Sequence, residues 1–313
     1  MKNIFEEWRI LEEQNKIENG VNGKSVLFDS RFDFFIKRDS NANLSITILC
    51  NEPVEKIEVD MYGISVKNSI DRDIDPSKEA VIIKNTNPNN SDIFMAFSAS
   101  LYEKAISKNN ENIINLIKET MNDYIDYFKG NKKGLSEIEQ QGLFGELTFI
   151  NENVESNKEI INNWEGIFKN KHDFVFKDYS VEIKTTRNQT ELDIKISNEN
   201  QLDNSYVKEL ELVVYRLEKV NVGKTLYDLY QELVNKIDKK YLIEFKAKLI
   251  KAGFDINEMD NLERFRLVER YDFIVNDSFP KITKKELITG VHDVKYSILI
   301  DGLERDVKKY GNE

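Results

Sequence analysis

Apolar and polar residues change their spacing several times along the chain, and each change marks a different kind of element. Residues 1–16 carry apolar side chains at helical intervals and predict a short amphipathic helix. Between about 25 and 97 the texture is strand-like. Short β-prone runs at 26–28, 32–36, 44–49, 57–61 and 80–83 are separated by Asn, Asp, Gly and Pro clusters such as 38–43 and 85–91. This predicts an antiparallel, β-rich module over residues 1–100. Helical spacing returns over 98–129, where Ile113, Leu116, Ile117, Met121, Tyr124, Ile125 and Phe128 recur on one face. Gly130 and the polar Asn131-Lys132-Lys133-Gly134 close that helix, so 101–134 is expected to connect two domains.

The second domain, 135–313, begins with Ser136-Glu137-Ile138-Glu139, a capping box that starts a helix running to about Asn151. Strands are predicted at 174–176, 181–184 and 192–196, then a short polar helix at 198–201 and a buried strand at 209–217. Helices at 226–237 and 241–252 and strands at 265–275 and 291–300 form a C-terminal extension. The fold class is therefore α+β or α/β.

Composition removes whole classes of chemistry. The single Cys50 allows no internal disulfide and no cysteine-cluster zinc site, and its apolar strand makes it a core thiol. Only His172 and His292 exist, which excludes two-histidine zinc motifs on one helix and leaves a Ser-His-Asp triad without support. Catalysis would have to run on carboxylates, lysine and an oxygen-loving metal. A net charge of −11 is evidence against nucleic-acid binding, which usually demands a basic patch, although a local basic face can sit on an acidic body. No apolar run reaches the roughly 18 residues of a membrane span, and Met1 to Arg9 mixes charges into its apolar residues, unlike a signal peptide. A cytoplasmic location without membrane association is expected.

The chemistry concentrates between His172 and Thr186. Asp173 and Glu182 are separated by two apolar runs and the polar residues 177–180, a hairpin pattern that folds one acid toward the other. Glu182 and Lys184 lie two apart on one strand and face one side, while Val181 and Ile183 face the other. Two carboxylates can hold Mg²⁺, and a neighbouring lysine can orient water and balance phosphate charge. The tripeptide alone means little, since it recurs at Asp193–Lys195, Asp238–Lys240, Glu244–Lys246, Asp293–Lys295 and Asp306–Lys308. The nearest rival is His292-Asp293-Val294-Lys295, which reads as an exposed strand edge. Glu146 follows Gly142 and Gly145 in the helix. Those glycines suit close packing on a sheet, with Glu146 either an ordinary surface acid or a carboxylate brought to the metal edge.

The order Gly-Leu-Phe-Gly-Glu-Leu (142–147), Trp164, His-Asp-Phe (172–174) and Val-Glu-Ile-Lys-Thr-Thr (181–186) resembles the PD-(D/E)XK nuclease superfamily. More closely it is similar to a bacterial family of PD-(D/E)XK motif proteins found beside restriction and phage-defence genes. The likeness continues through residues 195–202 and 291–297 and covers most of 136–300. It implies a restriction-endonuclease-like core, a mixed sheet flanked by helices in the order helix, three strands, helix, strand. It implies Asp173, Glu182 and Lys184 at the motif positions and Glu146 as the helical acid, with Asp173, Glu182 and Glu146 on the metal. His172 stands where the name-giving proline would be.

The expected activity is thus a DNA endonuclease dependent on Mg²⁺, with Mn²⁺ as substitute, in a restriction or phage-defence system. Asp173 and Glu182 would be joined on the metal by the Ile183 carbonyl. A homodimer and partner proteins from a defence operon are expected. The alternatives are a non-catalytic DNA-binding or assembly subunit and an RNA or repair nuclease. Arg187, Lys195, Ser197 and Gln201 are candidate DNA contacts, although each is more readily read as polar loop or helix cap, and Lys171 and Lys177 could add positive charge nearby.

Overall fold

The computed structural model describes residues 4–14, 21–28, 31–108, 111–128, 134–166, 172–254 and 261–310. Gly130, Asn131, Lys132, Lys133 and Lys171, invoked above, lie outside them. The chain divides into two units, one of Met1–Lys133 with Lys239–Lys251 and one of Gly134–Asp238 with Ala252–Glu313.

The first unit contains α1 (Ile4–Glu13), β1 (Val21–Phe28), β2 (Phe32–Asp39), β3 (Leu44–Cys50), β4 (Glu58–Met61), β5 (Ile64–Ile70), β6 (Glu79–Asn85), α2 (Ser91–Ser107) and α3 (Ile113–Phe128). The strands form one antiparallel sheet in the order β1-β2-β3-β6-β5-β4. Strand alternation sends Phe34, Ile36, Ile46, Ile48, Val66, Val81 and Ile83 to one face, where they are buried with helical residues such as Trp8, Phe94, Phe97 and Ile117. Trp8 donates its indole N–H to Ser98 Oγ at 2.8 Å, tying α1 to α2. Cys50 is buried, as its strand implied.

Two expectations fail here. The single helix over 98–129 is two helices, and the first begins at Ser91, inside a stretch with strand-like texture. Lys108 ends α2 in a non-helical conformation, and the Asn112 side chain accepts the Ile114 N–H at 2.8 Å, a local bond that favours a new helix start over continuation. Nor do these residues form a connector. Leu101, Tyr102, Ala105, Ile113, Leu116 and Tyr124 are core of the first unit.

The second unit contains α4 (Glu137–Asn153), α5 (Ile160–Asn163), β7 (Phe174–Val175), β8 (Tyr179–Thr186), β9 (Asp193–Ile196), β10 (Glu209–Lys224) and α6 (Leu226–Lys236). After α7 (Leu242–Ala252), whose Ala247 and Ile250 belong to the first unit's core, come β11 (Phe265–Ile274), β12 (Tyr296–Leu299) and β13 (Asp306–Lys309). Residues 239–251 are thus not part of the second unit, contrary to the expected span. A five-stranded sheet runs β13-β11-β10-β8-β7, and β9 pairs with β12 apart from it. The sheet is mixed because β8 and β10 are parallel while its other pairs are antiparallel. With seven α-helices among the described residues, the fold is a mixed α+β one.

One face of this sheet buries Leu210, Leu212, Val214 and Phe273 with Ile194, Ile196 and Ile298 of the β9–β12 pair. The other receives α4. Ser136 and Glu139 make the capping box that starts α4, as the sequence indicates. Gly145 lets the helix close on the sheet, because a Cβ there would stand 2.5 Å from Thr185 Cγ2 and 3.3 Å from Ile183 Cγ2. Gly142 has nothing within 4 Å of that position, so only one of the two glycines is a packing residue. Residues 198–201 form a turn rather than a helix, and the strand expected over 291–300 is confined to β12.

Candidate active site

β7 and β8 form the predicted hairpin, with Phe174 opposite Val181 and Val175 opposite Ser180. Continuing that register sets Asp173 opposite Glu182. The ladder does not reach Asp173 through its backbone. Its side chain takes over, and Asp173 Oδ2 accepts the Ile183 N–H at 2.7 Å. Its carbonyl accepts the N–H groups of Glu165 at 2.8 Å and Gly166 at 3.0 Å. Gly166 lies so close that a Cβ would fall 2.4 Å from Asp173 Oδ1, a contact no side chain can make without displacing the carboxylate.

Glu182 is 1% exposed in the middle of β8, and Lys184 Nζ donates to its Oε1. Glu146 comes from α4, one residue after the closely packed Gly145. Its Oε2 accepts the indole N–H of the fully buried Trp164 at 2.5 Å. Trp164 in turn bridges to Phe174, the first residue of β7. Segment 164–166 therefore holds Glu146 through an indole and Asp173 through two backbone amides. Glu146 is not an ordinary surface acid.

The charges of these four groups act on one another. Burial pushes the Glu182 carboxyl up to about 8, the Asp173 charge adds to this, and Lys184 opposes it. Glu146 is raised to about 8, first by burial and then by Asp173, while the Trp164 hydrogen bond pulls the other way. Asp173 is raised by burial against the pull of Lys184 and the Ile183 N–H. Burial alone would lower the Lys184 ammonium, but Glu182 and Asp173 outweigh it and its pKa is raised. Three acids face one lysine, and the excess negative charge has no protein counter-ion among the groups that shift them.

A hard divalent cation fits this donor set, which is all oxygen. Among the described residues no three Asp, Glu, His or Cys side chains are gathered into a ready cage. His172 is buried next to Asp173.

The four candidate DNA contacts do not join this cluster. Arg187 is ion-paired to Glu137 at the start of α4, an acid shared with Lys219. Gln201 Oε1 accepts the Ser197 N–H at 2.8 Å, so the pair closes a turn. Lys195 is exposed on β9, opposite Ser297, and Lys177 is exposed in the β7–β8 turn. The rival His292–Lys295 segment is an exposed loop with Asp293 at φ 55° and no second acid strand. Trp164 and Gly166 were given no role by sequence reasoning, although a glycine and a tryptophan shortly before the motif aspartate were visible.

The sequence model of the family described as "Putative PD-(D/E)XK family member (DUF4420)" matches residues 4–301. The chain belongs to this family. The match takes in both units, and the superfamily consists mostly of nucleases that use divalent metals such as Mg²⁺. No curated protein and no solved structure matches the chain. No helix among the described residues is long and apolar enough to cross a membrane.

Proposed function

We propose that this protein is a Mg²⁺-dependent DNA endonuclease of a restriction or phage-defence system, with the restriction-endonuclease-like core formed by α4, β7, β8 and β10. One observation carries the reading. Asp173, Glu182, Lys184 and Glu146, drawn from two strands and a helix, meet in one partly buried cluster at the hairpin edge of a mixed sheet. Asp173 and Glu182 would hold the cation with the Ile183 carbonyl, and Glu146 would support it directly or through water. Bound there, Mg²⁺ supplies positive charge for the phosphate and makes water a better nucleophile near neutral pH. Lys184 orients that water and balances charge on the scissile phosphate. Trp164 keeps Glu146 turned toward the cluster, and Gly166 leaves room for the Asp173 carboxylate. One such cluster per chain cuts one strand, so a double-strand break calls for a homodimer.

The test is direct. Plasmid, linear duplex and single-stranded DNA are incubated with the purified protein in Mg²⁺, Mn²⁺ or EDTA. Cleavage in metal, its absence in EDTA, and its loss in Lys184→Ala are expected. No cleavage of any of these DNAs in either metal would overturn the reading.

A further inference from the structure

The β9–β12 ribbon covers the sheet face toward which the motif residues turn. Where β10 runs parallel to β8, Leu212 stands beside Glu182 and Val214 beside Lys184. Residues paired in register share a face. Leu210, Leu212 and Val214 are buried against Ile194, Ile196 and Ile298 of the ribbon, so Glu182 and Lys184 turn toward the ribbon as well. On the ribbon itself Ile196 stands opposite Tyr296. Tyr296 therefore turns inward with Ile298, and its ring packs against the same apolar cluster, while Ser297 and Leu299 alternate outward and are exposed. Tyr296 is the first residue of β12, and it is half-buried where the inward isoleucines are fully buried.

The hydroxyl of Tyr296 is fixed on one side and under-used on the other. Its oxygen accepts the Ile282 N–H at 3.0 Å. Its own proton has the Ile282 carbonyl at 3.5 Å, longer than an ordinary O–H donor bond. Burial raises the pKa of the phenol and Glu286 adds to this, while the Ile282 N–H and the Lys184 ammonium lower it. The hydroxyl is thus close enough to Lys184 to feel its charge. Glu286 is already engaged, accepting the Thr283 N–H at 2.7 Å.

The chain that enters β12 is pinned as well. Glu199 is buried beyond the end of β9, and its Oε2 accepts the Val294 N–H at 3.1 Å. Its own N–H and those of Val294 and Asp293 hold its carboxyl below the ordinary value against the effect of burial. Asp293 sits at φ 55°, a region non-glycine residues rarely adopt and keep only where their surroundings hold them there. A buried, ionised carboxylate and a strained residue both fix the segment just before Tyr296. A rigidly held hydroxyl with a poorly used proton, facing the same space as a lysine, suits an anionic oxygen, because a donor bond to a charged acceptor is shorter and stronger than one to a neutral carbonyl.

We propose that Tyr296 is a substrate contact of this site, its phenolic O–H donating to a phosphate oxygen of the DNA backbone beside Lys184. The inference rests on the nuclease reading above. Two measurements on the full-length protein test it. Fluorescence anisotropy follows binding of a labelled duplex oligonucleotide in Ca²⁺, with intact DNA verified on a gel, and plasmid cleavage in Mg²⁺ gives kcat and KM. Tyr296→Phe keeps the ring and loses only the hydroxyl. Expected are about tenfold weaker binding and an about tenfold higher KM with kcat nearly unchanged, as for one hydrogen bond to a charged group made equally in the ground and transition states. The melting temperature should fall only slightly, through the lost Ile282 bond, and Mn²⁺ binding should be unchanged because the phenol is not a ligand. A merely structural role would lower the melting temperature without moving KM. Tyr227→Phe, a half-buried tyrosine on α6, should bind and cut like wild type. The proposal is overturned by a Tyr296→Phe protein whose Kd and KM match wild type. Binding that depends on Tyr296 without cleavage in the metal assays would leave the contact standing and remove the nuclease reading; cleavage indifferent to Tyr296 would do the reverse. DNA neither bound nor cut would remove both.

Discussion

Each unit buries charged groups on a sheet face, and the two clusters are opposites. In the first unit Lys37 and Asp71 lie together with Thr47, every polar atom of the carboxylate engaged. Burial alone would raise the Asp71 carboxyl, but the hydrogen bonds from Lys37 and Thr47 outweigh it and its pKa is lowered. In the second unit three acids share one lysine, and Glu146 and Glu182 are both raised to about 8. A balanced cluster holds a fold together. An unbalanced one is retained at a cost, and such frustration concentrates where a ligand supplies the missing charge.

The largest effect that would sharpen this contrast is on catalysis. Lys184→Ala should reduce DNA cleavage by roughly 100- to 10,000-fold in protein that still folds, with a lowered melting temperature because Glu182 loses its ion-pair partner. Cleavage kinetics beside thermal unfolding check both halves. Equal activity in Lys184→Ala together with a dead Lys295→Ala would mean that the wrong strand carries the chemistry. Gly166→Ala comes next. Its methyl would collide with the Asp173 carboxylate, so cleavage should fall by about 10- to 100-fold through misplacement alone. Wild-type rates for that variant would show that the position of Asp173 does not matter.

The balanced cluster should answer in stability instead. Lys37→Met leaves Asp71 buried without its cation and should cost roughly 3 kcal/mol in urea unfolding, the low end for breaking a buried pair. A loss well below that would mean the pair is replaceable and the contrast overdrawn. The smallest effect concerns pH. The Glu182 carboxyl has a folded pKa of about 8 against an ordinary 4.5, so its contribution to stability is full below about pH 4.5 and is lost as pH rises through 8. Glutamine cannot ionise. In EDTA, Glu182→Gln should therefore gain on wild type by a few degrees between pH 6 and pH 8.5, as read by thermal unfolding. A gap that stays constant across that range would mean the site does not repel itself.

Local pattern carried the parts of the fold that are local. The alternation Val181, Glu182, Ile183, Lys184 specifies which side chains share a face, the polar turn at 177–180 specifies the hairpin, and Ser136 with Glu139 specifies the start of α4. What the sequence concealed depends on partners that only the folded chain brings into contact. Trp164 acquires its role only from Glu146, eighteen residues earlier, and Gly166 only because Asp173 folds back on it. Arg187 looks free for a phosphate until Glu137, fifty residues away, neutralises it. Gln201 looks like a base reader until it accepts the Ser197 N–H. The break between α2 and α3 was visible as a polar interruption, but the apolar period on either side of it overrode that signal. β5 escaped notice because Ile64 and Val66 alternate with polar residues too briefly to stand out.

The central claim is that the unbalanced cluster is a cation site, and direct Mn²⁺ binding tests it most plainly, since it needs no substrate and no cleavage. Free Mn²⁺ is followed by electron paramagnetic resonance as protein is added in metal-free buffer at pH 7.5. The expected result is binding by wild type at millimolar Mn²⁺ or below, lost in Asp173→Asn and in Glu182→Gln, with both variants folded by circular dichroism. Wild type that leaves Mn²⁺ free at millimolar concentrations, or variants that bind it as wild type does, would contradict the claim.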